Sequence, residues 1–419
     1  MEPSRDPVAE VVHPRCCGLD VHKRTVAACV LLPGPGGMPL QEVRTFGTMT
    51  DDLVALRDWL SGHGVSQVGM ESTGSYWKPV WNILEGHFQL LLVNPQYAKG
   101  VPGRKTDVQD CAWLAHLLRH GLLRASFVPD RGQRELREVS RYRRTLVQER
   151  TREVNRLQKV LEGGNIKLAA VATDVMGKSA RQMLVGLLAG SSDTQALAEL
   201  AKGRMREKIP QLQRALSGRF GAHQRFLVAE ILAHIDTLDA CIDRVTAEID
   251  ERLRPFEPLV QRLDAVTGVG RTVAQGILAE VGTDVARFAT SGHLSSWAGM
   301  CPGNRESGGK RRSGRTRRGN RWLRLLLIQA AHAAGKTKAT YLADQYHRLA
   351  ARRGSKRAAV AVGHSILVIA YHLLRDPDRN FSDLGPDYFI RRNPERAVHH
   401  YVKQLIARGY EVTLRQTVA

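Results

Sequence analysis

The chain begins with short segments in which apolar and polar positions alternate. Between residues 15 and 32, Cys17, Leu19 and Val21 fall on one face, His22, Lys23 and Arg24 interrupt the alternation, and residues 25–32 resume it. That pattern predicts a strand, a turn and a strand. Residues 33–38 read as a Gly/Pro loop and residues 41–47 as a third strand. The period then changes: Leu53, Leu56 and Leu60 recur at helical spacing over residues 51–60, behind Thr50 as the cap. Residues 67–71 predict a buried strand ending at Glu71, residues 77–84 a helix, and residues 89–93 another buried strand. Strands alternating with helices in this way imply an α/β sheet covered by helices.

A helix starting after Thr106 closes this region. Thr106 and Gln109 have capping-box spacing, Ala112, Leu114, Ala115, Leu117 and Leu118 form an apolar face, and Gly121 stops it. Residues 131–161 are rich in Arg and Glu, with Leu136, Val139, Leu146, Val154, Leu157 and Leu161 at helical spacing. They predict a long exposed or coiled-coil-like helix suited to pairing subunits. A second helical run, residues 225–254, could pack back on it. Residues 263–271 hold Gly268 and Gly270 between two helices. Such a turn can offer backbone N–H groups to a phosphate, as in helix-hairpin-helix modules, or simply connect two helices tightly. Residues 302–320 are Gly- and Arg-rich, residues 322–334 helical, residues 376–387 a linker, and the last thirty residues one helix and a short terminal strand. The expected fold class is α/β plus all-α. An α/β domain spans residues 1–125, a helical, coiled-coil-like connector residues 126–254, a mainly helical domain residues 255–375, and a C-terminal tail residues 376–419.

Composition fits a folded chain of two or three domains, since 43% of the 419 residues are apolar and 25% charged. Charge changes the picture more. The 62 Lys and Arg against 41 Asp and Glu leave +21, with a pI near 10.2, which argues for a polyanionic partner and first of all nucleic acid. Residues 1–125 hold 12 basic and 12 acidic side chains, whereas residues 301–360 hold 16 basic and 2 acidic, a local +14. Grip and chemistry are therefore expected to be partly separated along the chain. Cys16, Cys17, Cys29, Cys111, Cys241 and Cys301 have neither zinc-ligand spacing nor the pattern of a disulfide framework, which fits a reducing compartment. Residues 1–10 are polar and acidic, unlike a signal peptide. Residues 358–374 are uncharged, but Gly363, His364, Ser365 and His372 favour a buried helix over a membrane span. The expected location is the cytoplasm, on nucleoid DNA if the host is a bacterium, with no membrane partner.

Four carboxylates fall where the predicted elements would gather them on one edge of the sheet. Asp20 is on the first strand, Glu71 at the end of a buried one, and Asp107 and Asp110 one turn apart at a helix start. Acids gathered in this way repel one another, and a metal is the simplest reason to keep them together. Magnesium takes hard oxygen ligands, and two ions about 4 Å apart can stabilise both the attacking and leaving oxygens of a phosphodiester. Taken singly, Asp107 and Asp110 also suit a helix dipole, and a strand-end acid like Glu71 is commonly a surface residue.

Ser307 lies in a run containing Asn304, Arg305, Glu306, Gly308, Gly309, Lys310, Arg311 and Arg312. A serine hydroxyl becomes a useful nucleophile when a base or concentrated positive charge helps it ionise, and guanidinium groups also hold phosphate. By composition alone Ser307 reads equally as a loop serine, and Ser313 qualifies nearly as well.

Read together, these motifs resemble a known family. Gly18-Leu19-Asp20-Val21-His22-Lys23, Glu71-Ser72-Thr73-Gly74-Ser75-Tyr76, Val93-Asn94-Pro95 and Gly103-Arg104-Lys105-Thr106-Asp107-Val108-Gln109-Asp110 are similar to the amino-terminal DEDD domain of a family of insertion-sequence transposases. That family is related to Piv-type DNA invertases and includes bridge-RNA-guided recombinases. Val266-Thr267-Gly268-Val269-Gly270, Trp297-Ala298-Gly299, Pro302, Glu306-Ser307-Gly308-Gly309 and Gly319-Asn320 resemble its downstream half. The resemblance runs from about Arg15 to Leu374.

It implies a RuvC-like, RNase H-type first domain and a helical transposase domain carrying the serine. It makes Asp20, Glu71, Asp107 and Asp110 the metal-binding quartet for Mg2+, expected as two ions, and Ser307 the nucleophile of a covalent 5′-phosphoserine intermediate. Expected partners are double-stranded donor and target DNA, a structured noncoding guide RNA, and further copies of the chain in a dimer or tetramer with composite active sites. Phosphate grip is expected from Arg104, Lys105, Arg271, Arg305, Lys310, Arg311, Arg312, Arg315, Arg317 and Arg318, with sequence choice left mainly to RNA pairing. His22 suits either support of a metal ligand or phosphate contact. Two other readings compete: a Mg-dependent, structure-selective RuvC-like nuclease in which Ser307 is structural, and a non-catalytic nucleic-acid-binding protein, which would explain the charge but not four spaced carboxylates.

Overall fold

The computed structural model describes residues 10–72, 74–94, 110–303 and 305–415, with residues 305–307, 311–313 and 400 described as backbone only. The chain divides into two compact units, Met1–Pro129 and Asp130–Ala419.

The first unit is built on a five-stranded mixed sheet of order β3-β2-β1-β4-β5. The central strand β1 (Cys16–Val21) pairs antiparallel with β2 (Thr25–Leu32), which pairs antiparallel with β3 (Leu40–Gly47). On its other side β1 pairs parallel with β4 (Gln67–Glu71), and β4 with β5 (Gln89–Val93). Alternation along β1 feeds two layers. Cys17, Leu19 and Val21 pack with Leu53, Leu56 and Leu60 of α1 (Thr50–Gly62) and Val80, Trp81 and Leu84 of α2 (Trp77–Leu84). Cys16 joins Cys29 and Leu31 against Cys111, Ala112, Ala115 and Leu118 of α3 (Asp110–Arg119). The start of α1 differs from expectation. Thr50 is its first helical residue and Met49 the cap, because Asp52 reaches back to accept the Met49 N–H at 3.3 Å and takes the capping role from a hydroxyl.

The second unit is mainly helical and holds two principal apolar cores. Its long helix α4 (Arg131–Gly163) is joined through α5 (Lys178–Leu188), α6 (Thr194–Glu199) and α7 (Ile209–Leu216) to a second long helix, α8 (Ala222–Leu253), which packs back on it. The stripe on α4 that suggested a subunit-pairing seam is covered within the chain. Leu157 and Leu161 enter a core with α5–α8, Leu146 meets Leu238 and Ile242, and Leu136 joins the C-terminal core. Hydrogen bonds from Arg143 Nε to Thr246 Oγ1, at 2.6 Å, and from Arg252 to Glu135, at 3.3 Å, tie the two long helices together.

The C-terminal core assembles α9 (Glu257–Asp264), α10 (Arg271–Val281), α11 (Ser291–Trp297), α12 (Arg321–Ala334), α13 (Tyr341–Arg353) and α14 (Ser355–Arg375). Helix α14 alone among the described residues is long and apolar enough to cross a membrane, but it lines this core through Val362, Ile366, Leu367, Ala370 and Tyr371. The segment read as a linker is pinned down: Asp383 accepts from Thr267 Oγ1 at 3.2 Å and the Tyr341 N–H at 2.9 Å, and Arg262 donates to the carbonyls of Asp376 and Pro377. Two helices follow, α15 (Tyr388–Arg392) and α16 (Pro394–Ile406), and no strand occurs among the described residues beyond them. Asn393 divides the two by capping α16 ahead of Pro394.

Candidate active site

Asp20 is the penultimate residue of β1 and Glu71 the last of β4. The strands run parallel with Leu19 beside Met70, and continuing that register sets Asp20 beside Glu71 at the ~4.8 Å spacing of paired strands. Leu19 and Met70 are fully buried in the layer shared with α1 and α2, so alternation turns Asp20 and Glu71 to the opposite face, where α3 lies.

Two glycines allow α3 to come close. Gly18 and Gly69 are partners in the same register, and a Cβ on Gly18 would stand 2.2 Å from the Cys111 carbonyl oxygen and 2.5 Å from the Ala115 nitrogen. The helix therefore lies directly on β1, with Asp110 as its first residue. Burial raises the pKa of the Cys111 thiol, and the negative charges of Asp20 and Asp110 push it further in the same direction. Both carboxylates thus bear on the same thiol. His22 adds a support: its Nε2 is 3.1 Å from Asp20 Oδ2, and its backbone N–H donates to the Thr25 carbonyl to close the β1–β2 turn. Asp107, Arg104 and Lys105 lie outside the described residues. Among the described residues no group of three or more His, Cys, Asp and Glu side chains converges as a metal site. Asp20, Glu71 and Asp110 nonetheless supply only hard oxygen donors, and the nearby Cys111 is kept as a neutral thiol, a donor set that fits a divalent hard cation.

In the second unit the serine occupies a hairpin. Strands β6 (Arg305–Ser307) and β7 (Lys310–Ser313) pair antiparallel, with Ser307 opposite Lys310. Between them Gly308 and Gly309 both have positive φ, +59° and +71°, as a type I′ two-residue turn requires. Ser307 is thus adjacent to the turn, whereas Ser313 pairs with Arg305 at the foot of the ladder. The root of the hairpin is tightly closed. The Gly303 N–H donates to the Arg315 carbonyl at 2.9 Å, and Arg324 donates to the Gly299 carbonyl at 2.8 Å and to Thr316 Oγ1 at 2.7 Å. A Cβ on Gly319 would lie 2.3 Å from the Gly299 nitrogen, so only glycine allows the two strands of chain to meet there.

Lys310, Arg315, Arg317 and Arg318 are exposed on or just beyond the hairpin. Arg271 is placed differently. Its guanidinium is held by Glu257 at 2.6 and 2.9 Å and by Asp250 at 2.9 and 3.1 Å, contacts that push its pKa up. The adjoining Gly268 has φ +83°, and a Cβ there would meet the backbone of α12 at 2.4 Å. Tight helix packing accounts for this glycine.

Sequence patterns gave no hint of what anchors the hairpin's outgoing strand. Asn320 caps α12 through the Trp322 and Leu323 N–H groups, and its Nδ2 donates to Glu280 Oε2 at 2.6 Å. Glu280 is 1% exposed, yet it accepts two hydrogen bonds from Arg141, at 2.7 and 2.8 Å, and lies 3.7 Å from Arg137. Burial depresses the Arg137 pKa to about 10 even with Glu280 beside it. The partners are some 140 residues apart in sequence, a separation at which periodicity carries no signal.

Residues 17–166 match the DEDD transposase domain of IS110 elements, and residues 260–348 match the transposases of the IS116/IS110/IS902 family. This chain belongs to that family. Relatives of this chain include a probable family 20 transposase of Pseudomonas aeruginosa, 28% identical over 73% of this chain and 83% of the relative. Two others are an uncharacterized 43.6 kDa protein of insertion element IS110 from Streptomyces coelicolor, 27% identical over 66% of this chain and 72% of its own length, and an uncharacterized 42 kDa protein of insertion element IS900 from Mycobacterium paratuberculosis, 27% identical over 65% and 72%. As an IS110-type transposase the chain is a DNA-acting enzyme, and its DEDD-type domain implies dependence on a divalent metal. The first transposase match includes Asp20, Glu71 and Asp110, and the second includes the serine hairpin and Glu280 and ends at Arg348, within α13.

Proposed function

We propose that this transposase cuts and rejoins DNA through a covalent phosphoserine bond made by Ser307, with a structured noncoding RNA pairing to donor and target DNA. The observation that carries the reading is the hairpin: a Gly308–Gly309 turn holds Ser307 at its tip in the most basic stretch of the chain. Its competitor Ser313 sits at the foot. In the proposed step the Ser307 oxygen attacks phosphorus, an Oγ–P bond forms, the P–O3′ bond breaks, and the serine proton ends on the departing 3′-hydroxyl. Attack by another strand's 3′-hydroxyl reverses the balance, restores the serine and joins the strands. Lys310, Arg315, Arg317 and Arg318, with Arg305, Arg311 and Arg312 of the hairpin and Arg104 and Lys105 of the first unit, would hold the phosphates. Arg271, already engaged by two carboxylates, is left out of this set.

The strand order of the first unit is that expected of a RuvC-like, RNase H-type domain, and it supports reading Asp20, Glu71, Asp107 and Asp110 as the holders of Mg2+, two ions in all. When bound, the metal would supply Lewis-acid stabilisation of charge on the phosphate oxygens. His22 would keep the Asp20 carboxylate oriented. Assembly as a dimer or tetramer belongs to the same reading.

The test incubates the purified protein with Mg2+, RNA from the element's flank, and donor and target DNA, and then runs a denaturing gel. A protein–DNA adduct that vanishes in Ser307→Ala is the expected result. An adduct that survives in Ser307→Ala moves the nucleophile elsewhere, with Ser313 next in line. DNA cleavage without any adduct would instead favour the nuclease reading.

A further inference from the structure

The turn between α13 and α14 carries a second concentration of charge that, apart from Arg348, lies past the end of the family match and belongs to no site described so far. Residues 351–357 are all exposed, and Gly354, at φ +81°, ends one helix and begins the next without any intervening loop. Arg348, Arg352, Arg353, Lys356 and Arg357 therefore crowd into two helical turns. No Asp or Glu occurs from residue 345 to residue 375, and among the described residues none of the five forms an ion pair. Arg348 lies over the Phe389 ring at 4.6 Å, and Arg352 Nε reaches only the Arg348 carbonyl at 3.4 Å.

Arg352 and Arg353 suit the last turn of α13, but the other two cations at the turn are not placed to stabilise the fold. Lys356 and Arg357 stand in the first turn of α14, where the helix dipole disfavours cations, and that turn holds no acid. A solvated helical face normally mixes its signs and pairs them at i, i+4. Like charges gathered at one turn, two of them against the dipole, gain when a polyanion covers them.

Position selects the polyanion. A Cβ on Gly363 of α14 would stand 2.9 Å from Met300 Cε and 3.1 Å from the Leu327 carbonyl, so the helix lies close against Met300, which leads into the serine hairpin. Lys356 is seven residues away along the same helix, about 10 Å at 1.5 Å per residue, and the chain from Met300 to Ser307 reaches at most about 24 Å. Together these lengths come at most to about the ~34 Å of one duplex turn.

We infer that the α13–α14 turn is a second docking surface for the phosphodiester backbone of duplex DNA, gripping Arg348, Arg352, Arg353, Lys356 and Arg357 against the same duplex whose strand Ser307 attacks. The inference rests on the serine reading for the identity of that duplex, but not for the binding itself.

The test is Arg353→Gln/Lys356→Gln/Arg357→Gln in the full chain, whose exposed, helix-compatible substitutions leave the core untouched. Binding to a labelled duplex is followed by fluorescence anisotropy between about 50 and 300 mM salt. Each lost phosphate contact lowers the log–log salt slope by about 0.9, so the triple variant should lose roughly 2 to 3 from the slope and bind about 10- to 100-fold more weakly at 0.1 M salt. An unchanged slope, with the melting temperature of the wild type, overturns the inference. So does loss of binding to a structured RNA while duplex binding stays intact, which would assign the surface to RNA. Ser307→Ala keeps the two claims apart: it should retain the full salt slope while losing the adduct. A wild type that binds with that slope but forms no adduct would remove the serine mechanism and leave this surface standing.

Discussion

Replacing Glu280 with alanine tests how the second unit holds its hairpin. The side chain is buried, it carries two hydrogen bonds from Arg141 and one from Asn320, and it faces Arg137, whose side chain is 11% exposed. Removing one partner of a buried ion pair strands the other charges, at a cost of about 3–5 kcal/mol. The Arg141 side chain is 36% exposed and can turn toward water, so the lower end, about 3 kcal/mol, is expected. At about 2–3 °C per kcal/mol for a large domain, the melting temperature should fall by roughly 6–9 °C. Glu280→Gln keeps an acceptor but not the charge, and should lose roughly half as much. Circular dichroism melts of wild type and both variants at one scan rate measure this. Hydrogen exchange gives the local readout, because loss of the Asn320 anchor should speed exchange of the Gly303 amide that closes the hairpin root. Alanine melting within about 2 °C of wild type, with Gly303 still protected, would refute the network's anchoring role.

Gly18→Ala should destabilise the first unit by about 3 kcal/mol, the upper range for overpacking, since the new methyl group meets α3 backbone at 2.2 Å, whereas Gly69→Ala meets only side-chain atoms at 3.4 Å and should cost under ~1 kcal/mol. Urea unfolding of the two variants decides the matter, and equal midpoints would count against helix–strand contact at Gly18. Burial pushes the Cys16 thiol to about 11 and the Cys29 thiol to about 12 from an ordinary 9.0. Because the folded values are raised, these neutral thiols stabilise the unit below pH 9.0, and that contribution is lost as pH climbs toward 11–12. Native protein at pH ~8 should therefore alkylate first at the half-buried Cys241 and Cys301, as read by mass spectrometry. Comparable labelling of Cys29 would refute its burial.

Much of the first unit was legible in the chain. Its central strands are covered on both faces or alternate strictly, and α1 and α2 repeat leucines and aromatics at helical spacing, so local pattern and tertiary environment agree. The serine hairpin was not read as a hairpin, although Gly308-Gly309 was its signal. Its strands, Arg305-Glu306-Ser307 and Lys310-Arg311-Arg312-Ser313, are polar at every position and so offer no apolar alternation to read, and backbone turn geometry carries the pairing. Likewise, the apolar stripe of α4 announced a partner without saying that the partner was α8 and the cores of the same chain.

By itself the sequence determined the local periods, the excess of cations, and the motifs that carry the family. Tertiary structure decided which distant groups meet. Two paired glycines let α3 settle beside Asp20, and Arg137, Arg141, Glu280 and Asn320 form one buried network under the hairpin. The cations at the α13–α14 turn are gathered within two helical turns because Gly354 leaves no space between helices. Helical and strand periods are properties of neighbouring residues, whereas these contacts depend on chain closure over tens to hundreds of residues, where only packing and charge neutralisation choose among partners.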